Sequence, residues 1–173
     1  MPLVREAVPD DASVLAHFAE RTFRDTFASV NTEQDMDSYC EQSFGRDIQA
    51  AEITQKGHRT LLCEEGSELL GFAQLRRERA PDCIASARPM ELQRLYIAAD
   101  WHGRGIAQQL MEAALAIAID SGCDTLWLGV WEDNPRAIAF YNKYGFQEVG
   151  EHSFRLGEDL QRDIVMHCPL PTE

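Results

Sequence analysis

The chain has 173 residues, which is the size of one domain, and we expect residues 1–173 to fold as a single unit. Acidic residues number 29 and basic residues 16, so the formal charge at pH 7 is −13. This balance argues against a protein that binds nucleic acid or an anionic membrane surface, because both attract a basic face. It fits a cationic small molecule or a basic peptide as partner, and it also fits an acidic surface that serves solubility alone.

The cysteines and the N-terminus predict a cytoplasmic protein that uses no metal. The five cysteines are odd in number, none forms a C-x-x-C pair, and no histidine stands at zinc-ligand spacing from them. The first residues lack the apolar stretch of a signal peptide. The longest apolar run, Ala113 to Ile119, is far shorter than the ~18 residues that span a membrane.

The N-terminal half of the sequence predicts a strand, helices and a hairpin. Apolar residues recur at helical spacing after Pro9-Asp10-Asp11, where the aspartates suit a helix N-terminus. The turn Glu65-Gly66-Ser67 separates two apolar stretches and indicates a hairpin. The predicted elements are a strand over 3–7, a helix beginning at 9, helices over 32–44 and 46–55, and strands over 60–64 and 69–75.

The C-terminal half alternates strands with helices. The clearest helix begins at Ile106, keeps a helical apolar period to Ala118, and has a stop signal at Gly122. The nearly continuous apolar stretch 125–131 is typical of a buried strand. Further strands are predicted over 91–97, 146–150 and 163–167, and a further helix over 134–144. Because helices alternate with strands, the expected fold class is α/β.

A glycine-rich turn, His102-Gly103-Arg104-Gly105, leads into the helix that begins at Ile106. Such a turn directs several backbone N–H groups and a positive helix end at one point, which suits phosphate. It is not a Walker A loop, because Ile106-Ala107 stands where Lys-Ser/Thr is required, and the dinucleotide fingerprint fails at Gln108. From these residues alone, a phosphate site and a plain tight turn are both open.

Two motifs in this region resemble the signatures of the GNAT superfamily of N-acetyltransferases. The first is Leu95-Tyr96-Ile97, a short acidic link, and the glycine turn at a helix start. The second, about 30 residues further on, runs from Asn134 to Phe146. His102 departs from the Gln or Arg of the first signature, which is expected to matter little because the phosphate contacts there come mainly from backbone N–H groups.

The resemblance implies one GNAT-type domain of α/β (α+β) class. Its sheet is mixed and mostly antiparallel, has six to seven strands, is splayed between the fourth and fifth strands, and carries helices on both faces. The resemblance also implies acetyl-CoA as co-substrate and no metal, with the pantetheine arm in the splay and the pyrophosphate on the glycine turn. The implied cofactor-binding residues are Leu95, Tyr96, Ile97, His102, Gly103, Arg104, Gly105, Ile106, Ala107, Asn134, Tyr141 and Lys143.

The implied activity is direct transfer of an acetyl group to a primary amine. An alkyl amine with a pKa near ~10 is mostly an ammonium at pH 7 and must lose a proton before it attacks the thioester. The resemblance gives Tyr141 the role of general acid for the leaving thiolate. We assign the general base to Glu91, acting directly or through a water, and the oxyanion donor to backbone N–H groups near Tyr96 and Ile97. Core packing of Tyr141 is the alternative to its catalytic role.

The acceptor is predicted from the segment between Glu20 and Glu52, which holds eight acids and three bases with aromatic residues interleaved. Carboxylates and aromatic faces suit a polyamine or another small cationic amine. The stretch 23–27, together with Tyr39 and Phe44, is also loosely similar to PaiA-type spermidine/spermine acetyltransferases. The alternatives are a solvated acidic face, a peptide N-terminus or amino acid as acceptor, and a non-catalytic acyl-CoA-binding module. A homodimer through the C-terminal strands is left open.

Overall fold

The computed structural model describes residues 1–172, which form seven strands and five α-helices joined by turns and short 3-10 segments. The strands are β1 (Leu3–Glu6), β2 (His58–Glu65), β3 (Glu68–Arg76), β4 (Pro89–Ile97), β5 (Thr125–Trp131), β6 (Gln147–Leu156) and β7 (Asp159–Pro169). The helices are α1 (Ala12–Phe27), α2 (Glu33–Ser43), α3 (Arg46–Thr54), α4 (Ile106–Asp120) and α5 (Pro135–Lys143).

All seven strands join one sheet in the order β1-β2-β3-β4-β5-β7-β6. Only the β4–β5 pair is parallel, so the sheet is mixed and mostly antiparallel, and the predicted fold class is confirmed. Strands β4 and β5 pair only where Pro89–Glu91 faces Thr125–Trp127. Beyond those residues the two strands separate, and this is the predicted splay between the fourth and fifth strands.

Helices cover both faces of the sheet, because successive side chains of each strand point to opposite faces. Leu61 and Cys63 of β2 belong to the core beneath α4, whereas Leu62 between them belongs to the core beneath α1 and α2. The α4 core includes Leu110, which is fully buried. Full burial of one such side chain stabilises the fold by about 1.5–3 kcal/mol.

The core under α1 and α2 is aromatic. The ring of Phe23, which is 1% exposed, lies 4.5 Å from Tyr39, 5.3 Å from Phe44 and 6.2 Å from Tyr96 between centroids. The ring of Phe27 lies 5.7 Å from that of Trp131 on β5. These contacts hold α1 and α2 over the open part of the splay.

The C-terminal strands are longer than the predicted segments 146–150 and 163–167. They form one hairpin in which Leu156 pairs with Asp159 across the turn Gly157-Glu158. Gly157 adopts a φ of +61°, a conformation that favours glycine. Because β6 alternates exposed and inward residues, its polar half escaped a prediction based on apolar stretches. Strand β6 is also the outer strand of the sheet, and the homodimer stays a prediction.

Candidate active site

A cavity of about 250 Å³ occupies the splay between β4 and β5. One side is formed by these two strands together with α5, and the other by α1, α2 and the β6–β7 hairpin. The lining side chains include Glu91, Tyr96, Trp131, Tyr141, His152 and Asp163. Beyond the pair Glu91–Trp127, the facing edges of β4 and β5 have no strand partner within residues 1–172, so their backbone polar groups are available to a ligand.

Strand β4 carries a β-bulge at the entrance to the splay. Gln74 of β3 pairs with Arg94 and the next residue, Leu75, pairs with Leu92, so Gln93 is the extra residue. A bulge bends a strand and increases its twist, which turns β4 away from β5. The bulge lies three residues before Tyr96, and the sequence prediction had placed the oxyanion donors near Tyr96 and Ile97.

The glycine turn opens α4 at one end of this splay. Gly103 and Gly105 adopt φ values of +76° and +82°, which a side chain would strain. Within residues 1–172, no hydrogen-bond acceptor is found for the N–H groups of Gly103, Gly105, Ile106 and Ala107. These donors and the positive end of α4 form an arrangement that suits an anion.

Three further residues predicted to bind the cofactor near the turn, His102, Arg104 and Lys143, have different surroundings. Nε2 of His102 donates to the Ile97 carbonyl at 3.0 Å, and Nη1 of Arg136 donates to Nδ1 of His102 at 3.2 Å. His102 therefore links the end of β4 to α5 and uses both of its ring nitrogens. Arg104 is exposed, with its guanidinium 5.0 Å from the Trp101 ring centroid. Lys143 is exposed at the C-terminal end of α5.

Asn134, the residue before α5, and Tyr141 of α5 both line the cavity. Oδ1 of Asn134 accepts from the N–H of Ala137 at 3.2 Å, so this side chain caps the helix and keeps its amide donors free. Tyr141 is half-buried, and its ring centroid lies 5.6 Å from Phe140 and 5.7 Å from Phe146. The phenol of Tyr141 is protonated at neutral pH, as any phenol is, and burial raises its pKa further above the ordinary value.

Glu91 lines the cavity at the point where β4 and β5 begin to separate. Its carboxylate is buried and accepts a hydrogen bond from Nε of Arg76 on β3. The guanidinium of Arg76 thus pairs with the carboxylate and occupies one of its two oxygens. The role of Glu91 as general base stays a prediction.

Among the cavity residues that the sequence did not indicate are His152 and Asp163. They pair directly across the β6–β7 hairpin, and Nε2 of His152 lies 3.6 Å from Oδ2 of Asp163. The alternation from His152 through Phe154 to Leu156, followed by a turn with glycine, was the signal that could have placed His152 on the inner face. Strand alternation then places Asp163 on the same face as the buried Val165.

The acidic residues of α2 do not form the cavity wall. Among residues 1–172, the lining set includes none of Glu33, Asp35, Asp37 and Glu41. Oδ1 of Asp35 accepts from the N–H of Glu158 at 2.8 Å, and Asp37 pairs with Arg24 at 2.7 Å.

Within residues 1–172, no group of three or more His, Cys, Asp or Glu side chains is arranged to hold a metal ion. No helix there is both long enough and apolar enough to cross a bilayer.

Comparison with known proteins agrees with this geometry. The acetyltransferase (GNAT) family model matches residues 17–146. An uncharacterized N-acetyltransferase of Lactobacillus delbrueckii subsp. lactis is 31% identical over 152 residues, covering 88% of each chain. Another from Mycobacterium tuberculosis is 33% identical over 156 residues, covering 90% of this chain and 96% of that protein.

Among solved structures, the crystal structure of PaiA N-acetyltransferase from Thermoplasma acidophilum in complex with coenzyme A matches with a TM-score of 0.80. It is 21% identical and the match covers 98% of this chain and 99% of that one, so it supports the fold. The family match and the two relatives cover most of the chain. The protein therefore belongs to the GNAT family and is an N-acetyltransferase.

Proposed function

We propose that this protein transfers the acetyl group of acetyl-CoA directly to a small primary amine bound in the β4–β5 cavity. The observation that carries the proposal is the position of Tyr141, a protonated phenol on the wall of a splay that has free N–H donors at its end. The glycine turn alone would suit any anion. The combination of that turn, unpaired strand edges and a half-buried phenol suits a long phosphorylated thioester.

The residues present fit acetyl-CoA. The N–H groups of Gly103, Gly105, Ile106 and Ala107 would hold the pyrophosphate, and the exposed Arg104 and Lys143 would add positive charge near it. The backbone of Leu95, Tyr96 and Ile97 would bind the pantetheine arm, because this side of β4 has no strand partner. The free amide donors of Asn134 would reach the same arm. His102 would contribute by fixing the Ile97 carbonyl.

The chain's own groups account for the proton transfers. The acceptor ammonium loses one proton to a base, and the neutral amine then attacks the thioester carbonyl. Backbone N–H groups of β4 between Gln93 and Ile97 stabilise the oxyanion. The C–N bond forms, the C–S bond breaks, and Tyr141 gives its proton to the departing sulfur. The second N–H proton of the amine restores the phenol, so one proton is released overall.

The cavity walls favour an acceptor with a single ammonium group. Aromatic faces of Tyr39, Tyr96 and Trp131 line the cavity and attract a cation. A polyamine would need carboxylates for a second ammonium, and the two in the wall, Glu91 and Asp163, already face Arg76 and His152. We therefore place a polyamine second to a small monoamine, with an amino acid or a peptide N-terminus as further alternatives.

The test is a thiol-release assay with acetyl-CoA against a panel of primary amines. The panel contains monoamines, spermidine, spermine, amino acids and peptides with free N-termini. CoA release with any of them supports the proposal, and the preferred amine gives the acceptor class. The non-catalytic alternative instead predicts that CoA binds, with a measurable thermal shift, while no amine causes release.

The substitution Tyr141→Phe tests the general acid. We expect kcat to fall about 10²–10⁴-fold, because proton transfer by one positioned group contributes about that factor. The dissociation constant for CoA should change less than twofold. Tyr144→Phe is the matched control, since Tyr144 is the residue that caps the end of α5, three positions after Tyr141, but does not line the cavity. Unchanged kcat in the Tyr141 variant would refute the assignment.

A further inference from the structure

His152 lies at the boundary between two spaces in the molecule. One is the inner cavity described above, and the other is an outer groove of about 470 Å³ between β3, β4 and the loop after β3. His152, Glu91 and Arg76 line both spaces. A titratable ring in this position can exchange a proton with a bound amine on one side and with bulk water on the other.

The fold makes specific room for this ring. Gly129 lies on the part of β5 that faces the splay, and a Cβ atom there would stand 2.7 Å from Nε2 of His152 and 3.2 Å from Oδ2 of Asp163. Only glycine allows the hairpin to bring both side chains this close to β5. The cross-strand pairing of His152 with Asp163 then fixes the ring beside the carboxylate.

The two ring nitrogens of His152 have different environments. Nε2 faces the buried Asp163 carboxylate at 3.6 Å, which favours a proton on Nε2. Nδ1 is then left as the proton acceptor. The negative charge of Asp163 stabilises the imidazolium that forms when the ring accepts a proton. The carboxylate therefore supports the ring as the base.

One residue in the wall of the outer groove carries an unused hydrogen-bond donor. Within residues 1–172, Nε1 of Trp127 is buried and has no hydrogen-bond partner, and Trp127 lines this groove beside His152 and Glu91. A buried indole N–H without a partner costs free energy, so the site favours a polar occupant such as water. His152 lines the same groove, which is open to solvent, so the ring has a route to water outside the inner cavity.

We propose that His152 is the general base that deprotonates the acceptor amine, that Asp163 positions the ring, and that the proton leaves through the outer groove. This inference rests on the proposed function. The acceptor ammonium transfers one proton to Nδ1 of His152, the resulting imidazolium releases it to water in the groove, and the other steps are unchanged. No other reactant is needed, and the released proton is the one that the overall reaction produces.

The proposal predicts the pH dependence of kcat/KM. The charged and titratable groups around the ring are Asp163 on β7, Glu91 and Arg94 on β4, Arg76 on β3, Glu78, Arg79 and Asp82 in the following loop, and Tyr39, Tyr96 and Tyr141 in the inner cavity. Of these, Asp163 acts most strongly and raises the pKa of His152 above its ordinary value. Because only the neutral ring accepts a proton, activity should fall as pH drops through the raised pKa of His152.

Two variants test the base and its positioning residue with the amine found in the thiol-release panel. His152→Gln should lower kcat/KM about 10²-fold or more at pH 7 and recover toward the wild-type value near pH 10, where the amine deprotonates without help. Asp163→Asn should move the acidic limb of the profile to lower pH. His167→Gln is the matched control, because His167 lies on β7 outside both spaces. CoA affinity should stay within twofold in all three.

The outcomes separate this inference from the proposed function. Wild-type activity with an unchanged profile in His152→Gln would overturn the base assignment and leave the acetyltransferase proposal intact. Loss at every pH, with no recovery near pH 10, would assign His152 a structural role and also overturn the inference. A parallel Glu91→Gln variant that loses the acidic limb would return the base to Glu91. No activity of the wild-type protein with any amine would refute both proposals together.

Discussion

The two sides of the cavity are built in different ways. The cofactor side comes from one continuous part of the chain, β4 through α5, in which the bulge, the glycine turn and Tyr141 follow in order. The acceptor side is assembled from α1, α2 and the β6–β7 hairpin, which are far apart in sequence. The contact between Asp35 and the N–H of Glu158, for instance, joins residues separated by 123 positions. The cofactor side thus depends on local backbone geometry, and the acceptor side depends on packing between distant elements.

This difference suits the two ligands. In the proposed binding mode CoA is recognised largely through backbone groups, whose positions are set by turns and by strand separation. The proposed acceptor contacts side chains, so its wall can change while the backbone stays the same. Substitutions on the cofactor side should therefore change CoA affinity, and substitutions on the acceptor side should change the acceptor KM.

The largest expected effect comes from matched truncations in the two cores. Phe23→Ala and Phe146→Ala each remove a buried ring that is 1% exposed, and each should lower the free energy of unfolding by about 3–5 kcal/mol. Phe23 packs against Tyr39, whereas the ring of Phe146 lies 5.7 Å from that of Tyr141. Urea denaturation measures the stability of both variants.

Kinetics should then separate these two variants. We expect Phe23→Ala to raise the acceptor KM with CoA affinity unchanged, because Phe23 supports the acceptor wall. Phe146→Ala should instead lower kcat, because Tyr141 loses a packing neighbour. If both variants change the same constant by the same factor, the two sides of the cavity are not independent.

A smaller effect is expected from the glycine turn. Gly105→Ala places a side chain at a φ of +82°, a left-handed conformation that costs about 1–2 kcal/mol. If the turn relaxes to avoid this strain, the affinity for CoA should fall about tenfold. Calorimetry should show that weakening for CoA, with acceptor KM unchanged. Gly66→Ala is the matched control, since it creates similar strain at a φ of +62° in a turn remote from the cavity. Equal CoA affinity in both variants would contradict the assigned pyrophosphate site.

The same contrast explains which features could be predicted from the sequence. The strand over 125–131 and the helix beginning at Ile106 match the structure because their apolar patterns are local and strong. The glycine turn and Tyr141 were predicted from motifs, because each lies within a short strand–turn–helix unit whose spacing is fixed. His152 was missed because its environment depends on Asp163 across a hairpin and on the space left by Gly129, and neither is visible in a short window.

The smallest expected effect tests the acidic segment on the acceptor side. Asp35→Asn combined with Asp37→Asn removes two charges, and each new side chain keeps an Oδ1 acceptor for Glu158 and Arg24. Neither residue lines the cavity, so the ratio of KM for a diamine to KM for a monoamine should change less than twofold. Thermal stability should fall slightly, because exposed ion pairs contribute little. A selective rise in diamine KM would show that these carboxylates attract a second ammonium from outside the cavity, and the polyamine alternative would then take first place.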